Sequence, residues 1–335
     1  MKVVLIAPSV LPVGIDKYGG IEKLVYDFSD TLTKLGHGVK IAAPLGSRLP
    51  KGVELIPTVS LPDQQDRDDL AYNAYSSQVV DSDVVHDFSH RHTYAKKNPD
   101  RPSLNVIWDN LTVKYDKAPK NIAAISEWQR QTFELLYERS ARLVSTVCAD
   151  EKRFFPVDGK SERFLIMGKM SSDKAIISAM GLCKLINASA DVVGGGLATD
   201  PSTYRHNVMR LCDGERFTFW GEVNDEIKIQ LMQRAKAVVN PRVVPEAHWH
   251  VGVEAMLCGT PVIAYGHSSY PEIIANGISG YVCPPYDEGE FIAAMKHVGS
   301  IRREGVREFA LRYSCSRVVS DCVKIYEKVA AGESW

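Results

Sequence analysis

The sequence predicts an α/β chain built as two Rossmann-like halves, each a parallel sheet wound with helices, facing a central cleft. Three observations carry this reading. The 335 residues suit two domains at ~100–200 residues each. Short continuous apolar runs, typical of strands buried on both faces, alternate with stretches whose apolar residues recur at helical spacing. The alternation lapses at Pro156-Val157-Asp158-Gly159-Lys160-Ser161-Glu162 and then resumes, which reads as an interdomain linker. The domains are therefore expected at 1–157 and 158–315.

Val3 to Ala7 is the first apolar run and the first expected strand. A loop with prolines and glycines follows, ending in Tyr18-Gly19-Gly20. Ile21, Leu24, Val25, Phe28, Leu32 and Leu35 then make one helical stripe. Gly36-His37-Gly38 stops that helix, because glycine takes the left-handed cap conformation cheaply. Val39 to Ala43 is the next strand, and residues 66 to 80 read as a polar-faced helix. Further strands are expected at Asp83–His86, Leu104–Trp108, Asn121–Ile125 and Leu143–Val147, with a helix over 127–139 capped by Ser126. In the second half, strands are expected at Phe164–Met167, Asp191–Val193, Phe217–Trp220, Ala237–Pro241 and Pro261–Ala264. The second of these leads into Gly194-Gly195-Gly196. Ile176, Met180 and Cys183 stripe one helix; Val319, Cys322, Val323, Tyr326 and Val329 stripe the last.

Composition excludes several classes. With 40 Lys plus Arg against 41 Asp plus Glu, the net charge of −1 argues against a nucleic-acid binder. An apolar share of 45% and a charged share of 24% are those of a globular chain. Seven cysteines, an odd number with no C-x-x-C spacing, fit reduced thiols in the cytoplasm. Pro8 and Pro12 interrupt the apolar N-terminus, which reads as a strand and not a leader. No apolar run is long enough to span a membrane, which leaves peripheral membrane contact open.

In open parallel sheets, ligands bind beyond the carboxyl ends of the strands. Gly19-Gly20 lies just before a helix, whose free N–H groups suit a phosphate, although by itself it also fits a plain turn. Lys169 and Lys174 share a strand-end loop and could converge on a diphosphate; surface lysines are more often merely solvated. The segment from Asn240 to Ala264 reads as strand, loop, helix, glycine stop and strand. Glu246 lies on its loop, and Glu254, seven intervening residues on, is expected to open its helix. Glu254 could accept two hydroxyls of a ribose, and Glu246 could reach a sugar, while two acids at this spacing alone also fit helix-capping roles. His86, His90 and His92 cluster, as do His248 and His250, but no C-x-x-C or H-E-x-x-H accompanies them, so hydrogen bonding is the preferred reading and no metal site is expected. Trp128, Phe133 and Leu136 read as packing residues.

Residues 246–272 resemble the E-x7-E signature of retaining GT-B glycosyltransferases, family 4, the glycosyltransferase group 1 proteins. The likeness extends through Glu254-Ala255-Met256, Cys258-Gly259-Thr260-Pro261-Val262-Ile263-Ala264, Pro271-Glu272-Ile273, Gly277 and Gly280. Gly19-Gly20-Ile21-Glu22, Ala124-Ile125-Ser126-Glu127 and Gly168-Lys169 with Lys174 also look like family segments. The resemblance implies metal-independent transfer, with retention, from a UDP- or GDP-linked sugar serving as substrate, no cofactor being needed. It places Glu254 on the ribose, Glu246 on the transferred sugar, and Lys169 and Lys174 on the diphosphate. Backbone N–H groups near Gly19 and Gly20, and around His248, Trp249, His250 and Val251, would assist. Glu222 and Val223 would meet the base. The acceptor, a carbohydrate, a lipid-linked molecule or a small molecule, is expected on the first domain, and the final helix, about 316–335, is expected to pack back there.

Three departures from the family pattern stand out. Lys169 replaces the usual arginine and loses its planar fork. The usual E-P-F-G opening is here Glu246-Ala247-His248-Trp249, so Trp249 is expected to reshape the sugar pocket or stack on the sugar. No histidine stands near Trp108-Asp109, which leaves Asp109, or His86, His90 or His92 from the neighbouring strand end, as the catalytic candidate of the first domain. An epimerase or phosphorylase of the same fold, and a non-catalytic sugar-binding homologue, are the alternatives.

Overall fold

The computed structural model describes residues 1–14, 19–59, 67–111, 115, 117–195 and 202–335. Tyr18, Asp66 at the start of the helix expected over 66–80, and Gly196 lie outside the described residues. The chain forms two compact units: Met1–Asp150 with Tyr313–Trp335, and Glu151–Arg312.

The first unit holds β1 (Lys2–Ile6), α1 (Gly20–Lys34), β2 (Gly38–Pro44), β3 (Glu54–Thr58), α2 (Arg67–Tyr75), β4 (Val84–Asp87), α3 (Thr93–Lys97), β5 (Ser103–Val106), β6 (Ile122–Ala124), α4 (Glu127–Tyr137) and β7 (Arg142–Leu143). Its seven strands are parallel and run in the order β3-β2-β1-β4-β5-β6-β7. Val3, Val4, Leu5 and Ile6 are all buried, as a central parallel strand requires. The stripe on α1 buries Leu24, Val25, Phe28 and Leu32, each worth about 1.5–3 kcal/mol.

The second unit holds β8 (Phe164–Met167), α5 (Ile176–Leu185), β9 (Ala190–Val193), α6 (Ser202–Leu211), β10 (Phe217–Gly221), α7 (Asp225–Arg234), β11 (Val238–Asn240), α8 (His250–Leu257), β12 (Val262–Tyr265), α9 (Tyr270–Ile273), β13 (Gly280–Cys283), α10 (Glu288–His297) and α11 (Arg303–Ala310). Its six parallel strands run β10-β9-β8-β11-β12-β13. The last helix, α12 (Cys315–Ala330), belongs to the first unit, where Val319, Cys322 and Tyr326 are buried. Beyond it, Trp335 is fastened by its backbone to Asn121 and by Nε1 to the Ile122 carbonyl at 2.8 Å.

The units divide at Asp150–Glu151, seven residues before the expected boundary at 157/158. The stretch read as a linker is tied into the second unit: Gln233 Nε2 donates to the Phe155 carbonyl and the Ser161 N–H to the Arg234 carbonyl, each at 2.8 Å. Four expected strands are shorter than read: those at Leu104–Trp108, Asn121–Ile125, Leu143–Val147 and Ala237–Pro241 are β5, β6, β7 and β11. Gln129, fully buried, donates from Nε2 to the carbonyls of Ile107 and Asp109 and accepts the Ile125 N–H, so a side chain replaces the ladder beyond β5 and β6. Ser126 caps α4 as expected, its Oγ accepting the Gln129 N–H at 3.2 Å. Neither β3 nor β13 was expected; both are edge strands, and β3 contains Pro57, which an edge tolerates. The seven cysteines are free thiols. No helix among the described residues is long and apolar enough to cross a membrane.

Candidate functional site

At the carboxyl ends of β8, β9 and β10 the loops are laced by backbone bonds. Gly168 N–H donates to Val193, Met170 N–H to Gly195, and Gly194 N–H to Gly221 at 2.8 Å. This lacing needs glycine at position 194, where a Cβ would stand 1.9 Å from the Gly168 carbonyl oxygen. Glu222, exposed, lies against Gly195, and Val223 follows it half-buried. Lys169 is exposed on the loop after β8. Lys174 ends a short turn of helix, and its stem runs along Gly168.

Lys174 reaches Glu246, on the loop after β11, with Nζ 2.5 Å from Oε1. The same oxygen meets Arg242 Nη1 at 2.9 Å. The other oxygen, Oε2, accepts the Tyr270 hydroxyl at 2.8 Å, and Asn240 Nδ2 donates to that hydroxyl at 2.9 Å. Arg242 is only 3% exposed; its Nε and Nη2 donate to the carbonyls of Val244 and Pro245. Its own carbonyl accepts from His267 Nε2, while Ser268 and Ser269 hydroxyls bond the Glu246 backbone. The loop carrying Glu246 is thus tied at both ends to the loop after β12. Burial, then the neighbouring Glu246 carboxylate, pushes the Tyr270 phenol well above its ordinary value, so it stays a donor.

Glu254 does not open a helix as expected; it sits mid-way along α8, which begins at His250. Its Oε1 accepts Lys228 Nζ at 2.8 Å, and Asp225 lies 3.4 Å from the same ammonium. Burial pulls Lys228 down, but Glu254 and Asp225 outweigh it and leave the ammonium above its ordinary value. Val251 is half-buried on the first turn of α8. His250 senses both acids and both lysines, 174 and 228; burial nevertheless dominates and lowers its pKa. His248, 5.4 Å ring to ring from His250, is lowered well below its ordinary value by burial, so both imidazoles are neutral at pH 7. Trp249 corrects an expectation. Its ring is 5% exposed, packs edge-on to Tyr270, and covers Gly252, where a Cβ would stand 2.4 Å from it. A ring so enclosed is part of the wall and has no free face on which a sugar could stack.

In the first unit, Gly19 and Gly20 do open α1, with Gly19 at φ 121°. The space a Cβ would take at Gly19 is filled by the Glu22 carboxyl, 2.0 Å from that position, so an acid of the chain itself occupies this turn. Burial raises Glu22 to about 7. Asp109 lies half-buried on the loop after β5, its Oδ1 accepting the Leu111 N–H at 2.8 Å. His86 corrects a second expectation. It is fully buried among Phe28, Phe88 and Tyr326, and its Nδ1 shares a 2.6 Å hydrogen bond with the Tyr326 hydroxyl. Burial depresses it to about 3. It is a neutral packing residue that no substrate reaches. His92 is likewise buried, its Nε2 donating to the Val106 carbonyl. Among the described residues, no group of three or more His, Cys, Asp or Glu is placed to hold a metal ion.

Sequence reading singled out Glu246, Glu254 and Lys174 but not Arg242 and Tyr270, which meet Glu246, nor Lys228, which meets Glu254. The signal for Arg242 was its place two residues beyond an apolar strand, in Asn240-Pro241-Arg242. Lys228 carried none: a lysine on a helix otherwise reads as solvated.

Residues 149–307, close to the bounds of the second unit, match the family model described as glycosyl transferases group 1. The fold of the whole chain matches sucrose-phosphate synthase of Thermosynechococcus elongatus, with a TM-score of 0.82 at 17% identity over 99% of this chain and 100% of that one. It also matches AviGT4, a glycosyltransferase involved in avilamycin A biosynthesis, at a TM-score of 0.78, with 21% identity over 100% and 99% of the two chains. The two parallel-sheet units have the GT-B fold, and the second carries the likeness to the group 1 glycosyltransferases. Proteins similar to this chain in sequence include phosphatidyl-myo-inositol mannosyltransferase of Mycolicibacterium smegmatis, 24% identical over 96% of this chain and 93% of that protein. The enzyme of that name from Mycobacterium leprae is 30% identical over 36% of this chain, a stretch that spans 34% of its own length. HepE of Anabaena, solved with UDP and glucose, has a TM-score of 0.75 at 16% identity over 98% and 100% of the chains.

Proposed function

We propose that this glycosyltransferase moves a sugar, with retention and without a bound metal or other cofactor, from a UDP- or GDP-linked donor to an acceptor hydroxyl. The observation that carries the reading is the pairing of Glu246 with Lys174, on loops at the carboxyl ends of the second unit's strands, with His250 within electrostatic reach of both and of Glu254 on α8. Glu254 takes the ribose hydroxyls and Glu246 the sugar. Lys174, with Lys169 on the same loop, takes the diphosphate; Glu222 and Val223 border the base. The bond from the sugar's anomeric carbon to the phosphate oxygen breaks, its electron pair leaving with the diphosphate. The acceptor oxygen bonds that carbon on the same face, and its proton passes to the departing phosphate oxygen. The ammonium groups offset the charge that develops there. A relative named as a mannosyltransferase of phosphatidyl-myo-inositol supports an acceptor of the lipid-linked class. On the first unit, Asp109 is the remaining candidate for contact with the acceptor.

The test is turnover of Glu254→Ala and Lys174→Ala with UDP- and GDP-sugars. Each is expected to lose at least about 100-fold in kcat/KM while melting within a few degrees of the parent. Near-normal turnover of both variants would overturn the assignment.

A further inference from the structure

Lys174 has two claims on it. The structure shows its ammonium on Glu246, with 27% and 15% of the two side chains exposed. The proposed function, on which this inference rests, requires that ammonium on a diphosphate. A carboxylate and a phosphate oxygen are interchangeable partners for a lysine point charge. We propose that Glu246 stands in for the diphosphate in the empty enzyme: donor binding moves Lys174 from the carboxylate to the phosphates and frees one lone pair of Glu246 Oε1 for a sugar hydroxyl. The exchange works because Glu246 keeps a second cation. Arg242 has two of its three nitrogens committed to the carbonyls of Val244 and Pro245 and is buried, so it stays on Oε1 when Lys174 leaves. Tyr270, held by Asn240, fixes Oε2 throughout. Arg242 is therefore a positioning residue. It touches neither phosphate nor sugar, yet it decides how tightly Glu246 competes for Lys174. Without Arg242, the full charge of Glu246 falls on Lys174 and the lysine is harder to release.

This makes a prediction that runs against ordinary expectation for a site residue. Titration calorimetry with UDP and GDP compares the parent, Glu246→Gln, Arg242→Met and the double variant. Glu246→Gln is expected to bind the diphosphate more tightly, by roughly 5-fold, while losing transfer. Arg242→Met is expected to bind it more weakly by a similar factor, with Arg242→Lys closer to the parent. In the Glu246→Gln background, Arg242→Met is expected to change nothing further, whereas a merely structural defect would persist there. The gain from Glu246→Gln must also vanish once Lys174 is Met, because a general loss of negative charge would tighten binding with or without the lysine. Unchanged or weaker binding by Glu246→Gln overturns the exchange, as does a gain that survives Lys174→Met. If the parent binds neither nucleotide, the proposed function itself fails. If Arg242→Met does not fold, the comparison of Glu246→Gln with and without Lys174 still decides.

Discussion

Asp87 ends β4 fully buried, and burial holds its carboxyl well above the ordinary range, at about 7, although bonds from Ser89 pull the other way. An unfolded chain releases that proton near pH 4. Between those values the folded state binds more protons than the unfolded one, so the stability this residue contributes is lost as the pH rises. Asp87→Asn suffers no such loss. Its stability is expected to gain on the parent between pH 4 and pH 7.5, by about 4 kcal/mol at most, as read by urea unfolding at both values. A variant that loses ground to the parent as the pH rises contradicts the reading. Single residues also show where sequence reasoning stops. Glu246 and Glu254 are legible because a fixed spacing of acids across a loop and a helix is a pattern. Arg242 and Lys228 are not, because a basic residue shows its role only once its burial and its partner are known. His86 failed in the opposite sense: a histidine at a strand end reads as functional until Phe28, Phe88 and Tyr326 are seen to enclose it.

At the scale of elements, the helical stripes and the central strands were legible because burial imposes their periodicity. Their ends were not. Gln129, on the helix that follows β6, lies 4 residues from Ile125 but 22 and 20 from Ile107 and Asp109, so only the fold brings it to the end of β5. The start of α8 shows how two elements' residues can be set by each other. Trp249 stands where the family pattern has glycine, and its ring takes the space a side chain at Gly252 would need. Gly252→Ala is expected to cost about 1–3 kcal/mol through overpacking. In a chain that already carries Trp249→Ala, the same change is expected to cost almost nothing, because the ring it strikes is gone. Thermal unfolding of the four proteins of this cycle measures the coupling; additive costs would mean the ring can move aside freely.

At the scale of the molecule, two parallel sheets follow from the alternation of strands and helices, and the glycosyltransferase likeness sits mainly in the second. The first unit is discontinuous, because the last helix belongs to it. Removal of residues 313–335 takes away Val319, Cys322 and Tyr326, the partner of His86, together with the Trp335 anchor. Hydrogen exchange of the truncated chain is expected to show β1 and β4 stripped of protection while β8 and β12 keep theirs; protection retained in β1 and β4 would contradict the account. The central claim, that the second unit grips an activated sugar through Glu246, Glu254 and Lys174, is tested most directly by a crystal structure with a UDP- or GDP-sugar bound. The account predicts the ribose hydroxyls on Glu254, the diphosphate on Lys174 and the sugar on Glu246. A donor seated elsewhere, with Lys174 still on Glu246 and Glu254 facing only Lys228, would contradict it.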